Sequence, residues 1–118
     1  MVSASSNLDT TLGALADPTR RRVIESLRRR PHRAGELSRA FRTSPPAMSR
    51  HLRVLRKSGL VEDVGDEADA RVRLYRLRPE PFQQLATWLE EVAAFWDDEL
   101  ASFKAHVERT RGVKGRRR

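Results

Sequence analysis

Cysteine is absent from the 118 residues of this chain. Disulfide cross-links, thiolate metal sites and cysteine nucleophiles are therefore excluded. The sequence also lacks any apolar run near the roughly 18 residues that a membrane span requires, and its N-terminus is short and polar. We therefore expect a single cytoplasmic domain that is neither secreted nor inserted in a membrane.

Residue patterns typical of enzymes are missing as well. The sequence has no Ser/His/Asp order, no glycine-rich phosphate loop and no convergent pair of carboxylates. We therefore expect neither catalytic activity nor a cofactor.

Positive charge is abundant and unevenly placed. Lys and Arg number 24 against 16 Asp and Glu, so the formal net charge is +8. Residues 19–57 hold thirteen basic side chains and two acidic ones, whereas residues 79–108 hold seven acidic side chains and one basic one. The first segment suits a polyanion such as nucleic acid, and the second does not.

Two helices are predicted near the start of the chain. Leucines at helical spacing predict the first over residues 8–15. The second begins with Asp17 as N-cap and Pro18 at the first helical position, and it stops near Pro31. Its apolar stripe is Val23, Ile24 and Leu27.

A second pair of helices follows. The third helix is predicted over residues 34–41, and the fourth begins with Ser44 as N-cap and Pro45 at its first position. Gly59 supplies a left-handed stop for the fourth helix. The residues expected to face inward from this pair are Leu37, Phe41, Met48, Leu52 and Leu55.

The remainder of the chain predicts a hairpin and a long helix. Residues 60–64 and 71–77 are rich in β-formers and flank a turn-prone segment. Because apolar residues occupy both faces of the second strand, it is either bulged or covered on both sides. From Pro79 onward, apolar residues step by three or four and predict a helix of about 39 Å. Residues 1–7 are expected to be flexible, and residues 109–118 to form a basic disordered tail.

This order of elements, α-α-α-α-β-β-α, is the layout of a winged helix-turn-helix, a mainly α fold with a small β-hairpin. The domain is expected to cover residues 8–108, with the motif itself at residues 34–58. Its second helix is the recognition helix, which enters the major groove. The candidate DNA contacts are Thr43, Ser44, Pro45, Ala47, Ser49, Arg50, Arg53, Arg56, Lys57, Arg71 and Arg73.

Arg50 is the leading candidate among these residues, because its guanidinium can donate to both O6 and N7 of guanine. Ser49 can bond a base or a phosphate, and Ala47 can touch a thymine methyl group. The alternative for each exposed side chain is an ordinary solvated helix face.

Three stretches of the sequence resemble the ArsR family of bacterial repressors: residues 15–21 (LADPTRR), 35–37 (GEL) and 48–61 (MSRHLRVLRKSGLV). The resemblance spans roughly residues 8–107. It implies a cytoplasmic homodimer that binds an operator near its own promoter and releases DNA in response to a signal, such as a small-molecule effector.

The chain departs from the family pattern at three places. Where the founding metal sensors carry cysteines, this chain has Arg33 and Gly35, which excludes thiolate sensing of metals. Many relatives have Gln at the position of Pro45, so recognition is expected to shift to neighbouring residues. The wing tip is acidic where relatives are often basic, which leaves Arg71 and Arg73 as the wing residues expected to contact DNA. The wing acids are Asp66, Glu67 and Asp69.

The last helix carries more apolar surface than a small domain can cover, which indicates pairing with a second copy. Pairing through the first and last helices would set two recognition helices about 34 Å apart, so the operator is expected to be an inverted repeat. Packing of the two tryptophans inside the monomer is the alternative. The expected interface is Leu8, Leu12, Leu15, Trp88, Val92, Phe95, Trp96 and Phe103.

The three histidines are not expected to bind metal. A second metal site of the family lies on the last helix, but the carboxylates near His106 are irregularly spaced. His51 is expected to pack beside the core, and His32 to be exposed.

An architectural protein that binds any duplex is the competing interpretation. It draws on the net charge and on six basic residues between Arg109 and Arg118. Competition with random DNA distinguishes the two interpretations, because a repressor stays bound to its operator in the presence of excess random duplex.

Overall fold

The computed structural model describes residues 4–69 and 71–115. Its elements are, in order, α1 (Ala4–Leu15), α2 (Pro18–Arg29), β1 (His32–Arg33), α3 (Ala34–Ala40), α4 (Pro45–Lys57), β2 (Val61–Gly65), β3 (Arg73–Leu77) and α5 (Pro79–Gly115). They form two compact units, Met1–Leu85 and Ala86–Arg118. The described helices include none with the length and apolar character needed to cross a membrane. The five helices and the β2–β3 hairpin confirm the predicted fold class.

Both predicted N-caps are confirmed. The Asp17 carboxylate accepts the backbone N–H of Arg20 at 3.0 Å, and Pro18 is the first residue of α2. The Ser44 hydroxyl oxygen accepts the backbone N–H of Ala47 at 3.3 Å at the start of α4. Each side chain satisfies an amide that the first turn of a helix leaves without a partner.

The hydrophobic core lies in the first unit. All the inward-facing residues predicted for α2 and α4 are buried, as is Leu37 of α3. Phe41 is partly buried against this core, together with Tyr75, Leu77 and Phe82. The buried core residues are Ala14, Val23, Ile24, Leu27, Leu37, Met48, Leu52, Leu55, Leu60 and Val61.

Left-handed residues end both helices of the helix-turn-helix. Gly59 has φ 77°, and the N–H of Leu60 donates to the carbonyl of Leu55, as expected for a glycine stop. Arg42 has φ 51°, and the N–H of Thr43 donates to the carbonyl of Ser38. The turn before α4 therefore uses the same motif with an arginine in a conformation that usually favours glycine.

The sheet has three strands rather than the two that were predicted. Its order is β1-β3-β2, and β1 adds the pairs His32↔Tyr75 and Arg33↔Leu74. A strand of two residues is too short to show an alternating pattern, so the sequence alone gives no signal for β1. The β2–β3 register is continuous from Val61↔Leu77 to Gly65↔Arg73, so these strands contain no bulge.

The prediction that His32 is exposed is wrong. Its side chain is 15% exposed, and Nδ1 lies 3.3 Å from Oε2 of Glu36. The short strand β1 places it beside Tyr75 of the central strand.

The terminal helices are longer than expected. α1 begins at Ala4, within the segment expected to be flexible, and α5 continues to Gly115, through most of the segment expected to be disordered. Glycine is about 1 kcal/mol less favourable than alanine in a helix interior. Extending an existing helix adds one hydrogen bond for each residue, which can offset that cost. The rest of the segment expected to be flexible, residues 1–3, lies outside the described residues. The rest of the segment expected to be disordered, residues 116–118, lies outside them as well.

Candidate nucleic-acid interface

Helix α4 has one buried face and one exposed face. Met48, Leu52 and Leu55 are buried, so the helix is fixed to the core along one side. Ser44, Pro45 and Ser49 are exposed at its start, and Ala47 is half-buried. Pro45 and Pro46 have no N–H, and the N–H groups of Ala47 and Met48 donate to the hydroxyl and carbonyl oxygens of Ser44. The first turn of α4 therefore leaves no amide free, but it carries the partial positive charge of a helix N-terminus, which suits phosphate.

Three basic side chains form a continuous edge on the exposed side of α4. Arg50, Arg53 and Lys57 are exposed and follow one another at intervals of three and four residues. Within residues 4–69 and 71–115, no acidic side chain forms an ion pair with any of the three. Their charge is therefore available to an external anion. We call these residues the basic edge.

The residues just before α4 play different parts. The Thr43 hydroxyl donates to the carbonyl of Phe41 at 3.2 Å and so helps to close the turn. The Ser44 hydroxyl oxygen accepts the backbone N–H of Ala47, and its own O–H remains available as a donor. Of these two residues, Ser44 is the better placed to bond a phosphate.

Arg56 is drawn away from the basic edge toward the wing. Its Nη1 lies 3.4 Å from Oδ2 of Asp63 on β2. The other carboxylate oxygen of Asp63 is buried, with no hydrogen-bond partner in the part of the chain that the structure describes. The pair ties the end of α4 to the wing and offsets part of the charge of Arg56, which the sequence predicts to contact DNA.

The acidic wing is largely matched by arginines. Arg33 Nη2 forms an ion pair with Oδ2 of Asp66 at 2.9 Å. Arg71 Nε forms another with Oδ1 of Asp69 at 3.3 Å. The backbone N–H of Ala68, followed by the guanidinium of Arg33, lowers the pKa of Asp66 below its ordinary value. Arg71 and Arg73 are exposed, as their predicted role requires.

Two arginines of the basic segment cap a helix. Arg20 Nε donates to the carbonyl of Ala14 at 2.6 Å, and Nη2 donates to that of Gly13 at 3.3 Å. Arg21 Nη1 donates to the carbonyl of Leu15 at 2.7 Å. These carbonyls lie at the end of α1, where a helix lacks donors and carries partial negative charge. The charge count alone could not reveal this role.

A cluster around Glu36 organises the start of α3. The carboxylate accepts the backbone N–H of Arg33 at 3.2 Å and the Arg30 guanidinium at 2.9 Å. With His32 as a further partner, these contacts lower the pKa of Glu36 from 4.5 to about 2, and the Arg33 amide has the largest effect. In a helix-turn-helix the first helix crosses the DNA backbone, so the cluster holds the element that positions α4.

The second unit exposes a row of large apolar side chains on α5. Trp96 is 57% exposed and Phe103 is 66% exposed. Trp88 is exposed and Val92 is half-buried, while the Phe95 and Trp96 rings meet edge to face at 5.7 Å. Within the second unit, both tryptophans are therefore exposed.

The three leucines predicted for the same interface on α1 differ from one another. Leu12 is exposed, Leu8 is half-buried, and Leu15 packs against the core of its own chain.

The residues present do not fit a metal-sensing centre. The chain has no cysteine. In the described ranges, no three His, Asp or Glu side chains gather as a set of metal ligands. His51 is half-buried, with Nδ1 3.9 Å from the carboxylate of Asp17, which agrees with its expected packing role.

Comparisons with known proteins agree with this geometry. Residues 17–63, which include α2 to α4, match the family model described as "Bacterial regulatory protein, arsR family". The HTH-type transcriptional regulator Rv2034 of Mycobacterium tuberculosis is 40% identical over 100 residues, which are 85% of this chain and 88% of the relative. The transcriptional repressor SdpR of Bacillus subtilis is 26% identical over 79% of this chain and its own full length.

A solved structure is similar over most of its length. The ArsR-like transcriptional regulator from Rhodococcus sp. RHA1 superposes with a TM-score of 0.70 and 32% identity, covering 85% of this chain and 92% of that one. The similarity therefore extends well beyond the helix-turn-helix.

Proposed function

We propose that this chain, which belongs to the arsR family of bacterial regulatory proteins, acts as a homodimeric repressor that binds an inverted-repeat operator. The family consists of DNA-binding transcriptional regulators, and the chain is a transcriptional regulator of this kind. We propose four further properties: that it represses transcription, that it is a homodimer, that its operator is an inverted repeat, and that it is cytoplasmic.

The observation that carries this proposal is the unpaired basic edge beside the exposed start of α4. Arg50 lies one turn into the helix and is the residue that we assign to a guanine. Arg53 and Lys57 continue along the same side and are assigned to phosphates, which fix the helix in the groove. At the other end of the edge, the exposed Ser44 hydroxyl can donate to a further phosphate.

The homodimer is supported by the exposed aromatic row of α5. Exposed patches of this kind on soluble proteins commonly mark interfaces between chains. A two-fold partner would cover the row on each chain with the same surface of the other. Two copies of α4 about one helical turn of B-DNA apart would then require an operator with inverted half-sites.

Repression rather than activation is supported by the similarity to SdpR, which is named as a transcriptional repressor. Release of DNA would follow from a signal that changes the dimer and so the spacing of the two α4 helices. A small molecule or another effector is the form of signal that we propose.

A competition experiment tests the proposal against binding to any duplex. Random duplexes are selected for binding, and the selected sequence is then challenged with an excess of random DNA at fixed salt concentration. A repressor yields an inverted repeat that survives the challenge. Selection of no common sequence, with binding lost equally for every duplex, would support an architectural protein instead.

A further inference from the structure

A shallow groove of about 500 Å³ lies along α2, beside the turn that leads into α4. Pro18, Arg22, Ser26 and Arg29 line it from α2, and Phe41 lines it from the end of α3. Arg22, Ser26 and Arg29 lie four and three residues apart, so they share one face of the helix. The groove therefore combines two long cationic side chains with an apolar wall.

The two arginines are available to a ligand. In the described ranges, neither Arg22 nor Arg29 has an acidic partner, and both are exposed. The acid that lines the groove, Glu25, already pairs with Arg28 at 3.1 Å. Arg28 does not line the groove, but it pairs with the acid that does, so the groove keeps a net positive charge.

The groove lies close to the start of the recognition helix. Phe41 is three residues before Ser44, so the two lie at most about 11 Å apart along the chain. Double-stranded DNA carries one negative charge per roughly 1.7 Å of its axis. A duplex held by α4 therefore presents several phosphates within this distance of Ser44.

We propose that Arg22 and Arg29 bind the phosphodiester backbone of operator DNA beyond the base pairs that α4 contacts. This inference rests on the proposed binding of DNA by α4. An extended polyanion fits better than a small anion, because the two arginines lie seven positions apart, about 10.5 Å along a helix. Pro18 and Phe41 offer apolar contact to a sugar, and Ser26 can donate to a phosphate oxygen.

The test compares two duplexes and three proteins. One duplex holds the selected inverted repeat alone, and the other extends it by ten base pairs on each side. The proteins are the wild type, the R22A/R29A variant and an E25Q/R28A control from the same helix, which removes the ion pair as a whole and leaves the net charge unchanged. Affinity is measured over a series of salt concentrations, and circular dichroism checks that each variant is folded.

For the wild type, we expect a steeper salt dependence on the extended duplex than on the short one. Each phosphate contact contributes about 0.9 to the slope of log K against log salt, so four arginines in a dimer add about 3 to 4. R22A/R29A should lose this increment and keep its base preference, whereas E25Q/R28A should retain the increment.

Equal slopes for the wild type and R22A/R29A on the extended duplex would overturn the inference while leaving the proposed function intact. If the wild type selects no inverted repeat at all, the proposed function itself fails. The two failures are therefore distinguishable.

Discussion

Nη2 of Arg33 lies 2.9 Å from Oδ2 of Asp66, a residue 33 positions later in the chain. Arg33 immediately precedes α3, and Asp66 follows β2 at the tip of the wing. The pair brings opposite charges together at the place where an acidic loop would otherwise repel phosphate. The acidic wing tip is therefore compatible with DNA close by.

The Arg33–Asp66 pair predicts a specific pattern of DNA affinity. R33A should bind duplex DNA about two- to fivefold more weakly, because it removes a positive charge and leaves the Asp66 charge unmatched. R33A/D66N should recover most of this loss. Titration at low salt measures both, and a double variant as weak as R33A would show that Asp66 does not act through its charge.

Glu36 should contribute to stability at neutral pH and lose that contribution in acid. Its pKa is 4.5 ordinarily and about 2 in the fold, chiefly because of the Arg33 amide. A lowered pKa stabilises the folded state above the ordinary value, and the contribution disappears as pH falls from 4.5 toward 2. We expect about 1–2 kcal/mol, reduced from the full shift because the carboxylate is partly solvated.

Urea unfolding of E36Q and wild type over this pH range checks the prediction. The two free energies of unfolding should converge at low pH, while the lowered pKa values of Asp17 and Asp66 leave a residual pH dependence in both proteins. A constant difference between the proteins at every pH would contradict this role for the Glu36 charge.

Arg20 should stabilise the domain through α1 rather than through DNA. R20A removes two hydrogen bonds to carbonyls at the end of α1, for which we expect a loss of about 1–3 kcal/mol in the free energy of unfolding. The control is R22A on the same helix, which should change stability by less than about 0.5 kcal/mol. Equal stabilities of R20A and R22A in urea would exclude the capping role.

Arg50 should determine base preference. R50A should relax the preference at one position in each half-site, at a cost of about 1–3 kcal/mol. R53A, its neighbour on the basic edge, should instead weaken binding to all sequences alike, because phosphates carry no base information. Selection from random duplexes measures both effects, and an unchanged R50A motif would remove Arg50 from the base-contacting set.

The aromatic row of α5 should hold two chains together. W96S/F103S should halve the mass in sedimentation equilibrium while keeping its helical signal, because both side chains are largely exposed in the single chain. E90Q, an exposed change on the same helix, should leave the mass unchanged. A wild type that sediments as a monomer at every concentration would contradict the proposal that the aromatic row joins two chains.

Local features were predictable because they depend on residues close in sequence. Asp17 and Ser44 as N-caps, with proline following each, are read from the chemistry of single turns. The stripe of Met48, Leu52 and Leu55 follows from helical spacing, and the exposed face of α4 follows from the stripe.

Features that depend on distant residues could not be predicted in this way. The pairing of β1 with β3 and the ion pair between Arg33 and Asp66 join segments that only the fold brings together. Arg20 and Arg21 could be counted as charges, but their use at the end of α1 depends on how α1 and α2 meet. The left-handed Arg42 has no sequence signal, because glycine usually takes that position.

Methylation protection on the selected duplex tests the central claim most directly. Dimethyl sulfate attacks N7 of guanine in the major groove, and N3 of adenine in the minor groove. With α4 of each chain in a major groove, guanines should be protected in two patches about 10 base pairs apart on one face of the duplex. R50A should expose one guanine in each patch. Protection of adenines alone, or of a single patch bound by one chain, would contradict the account.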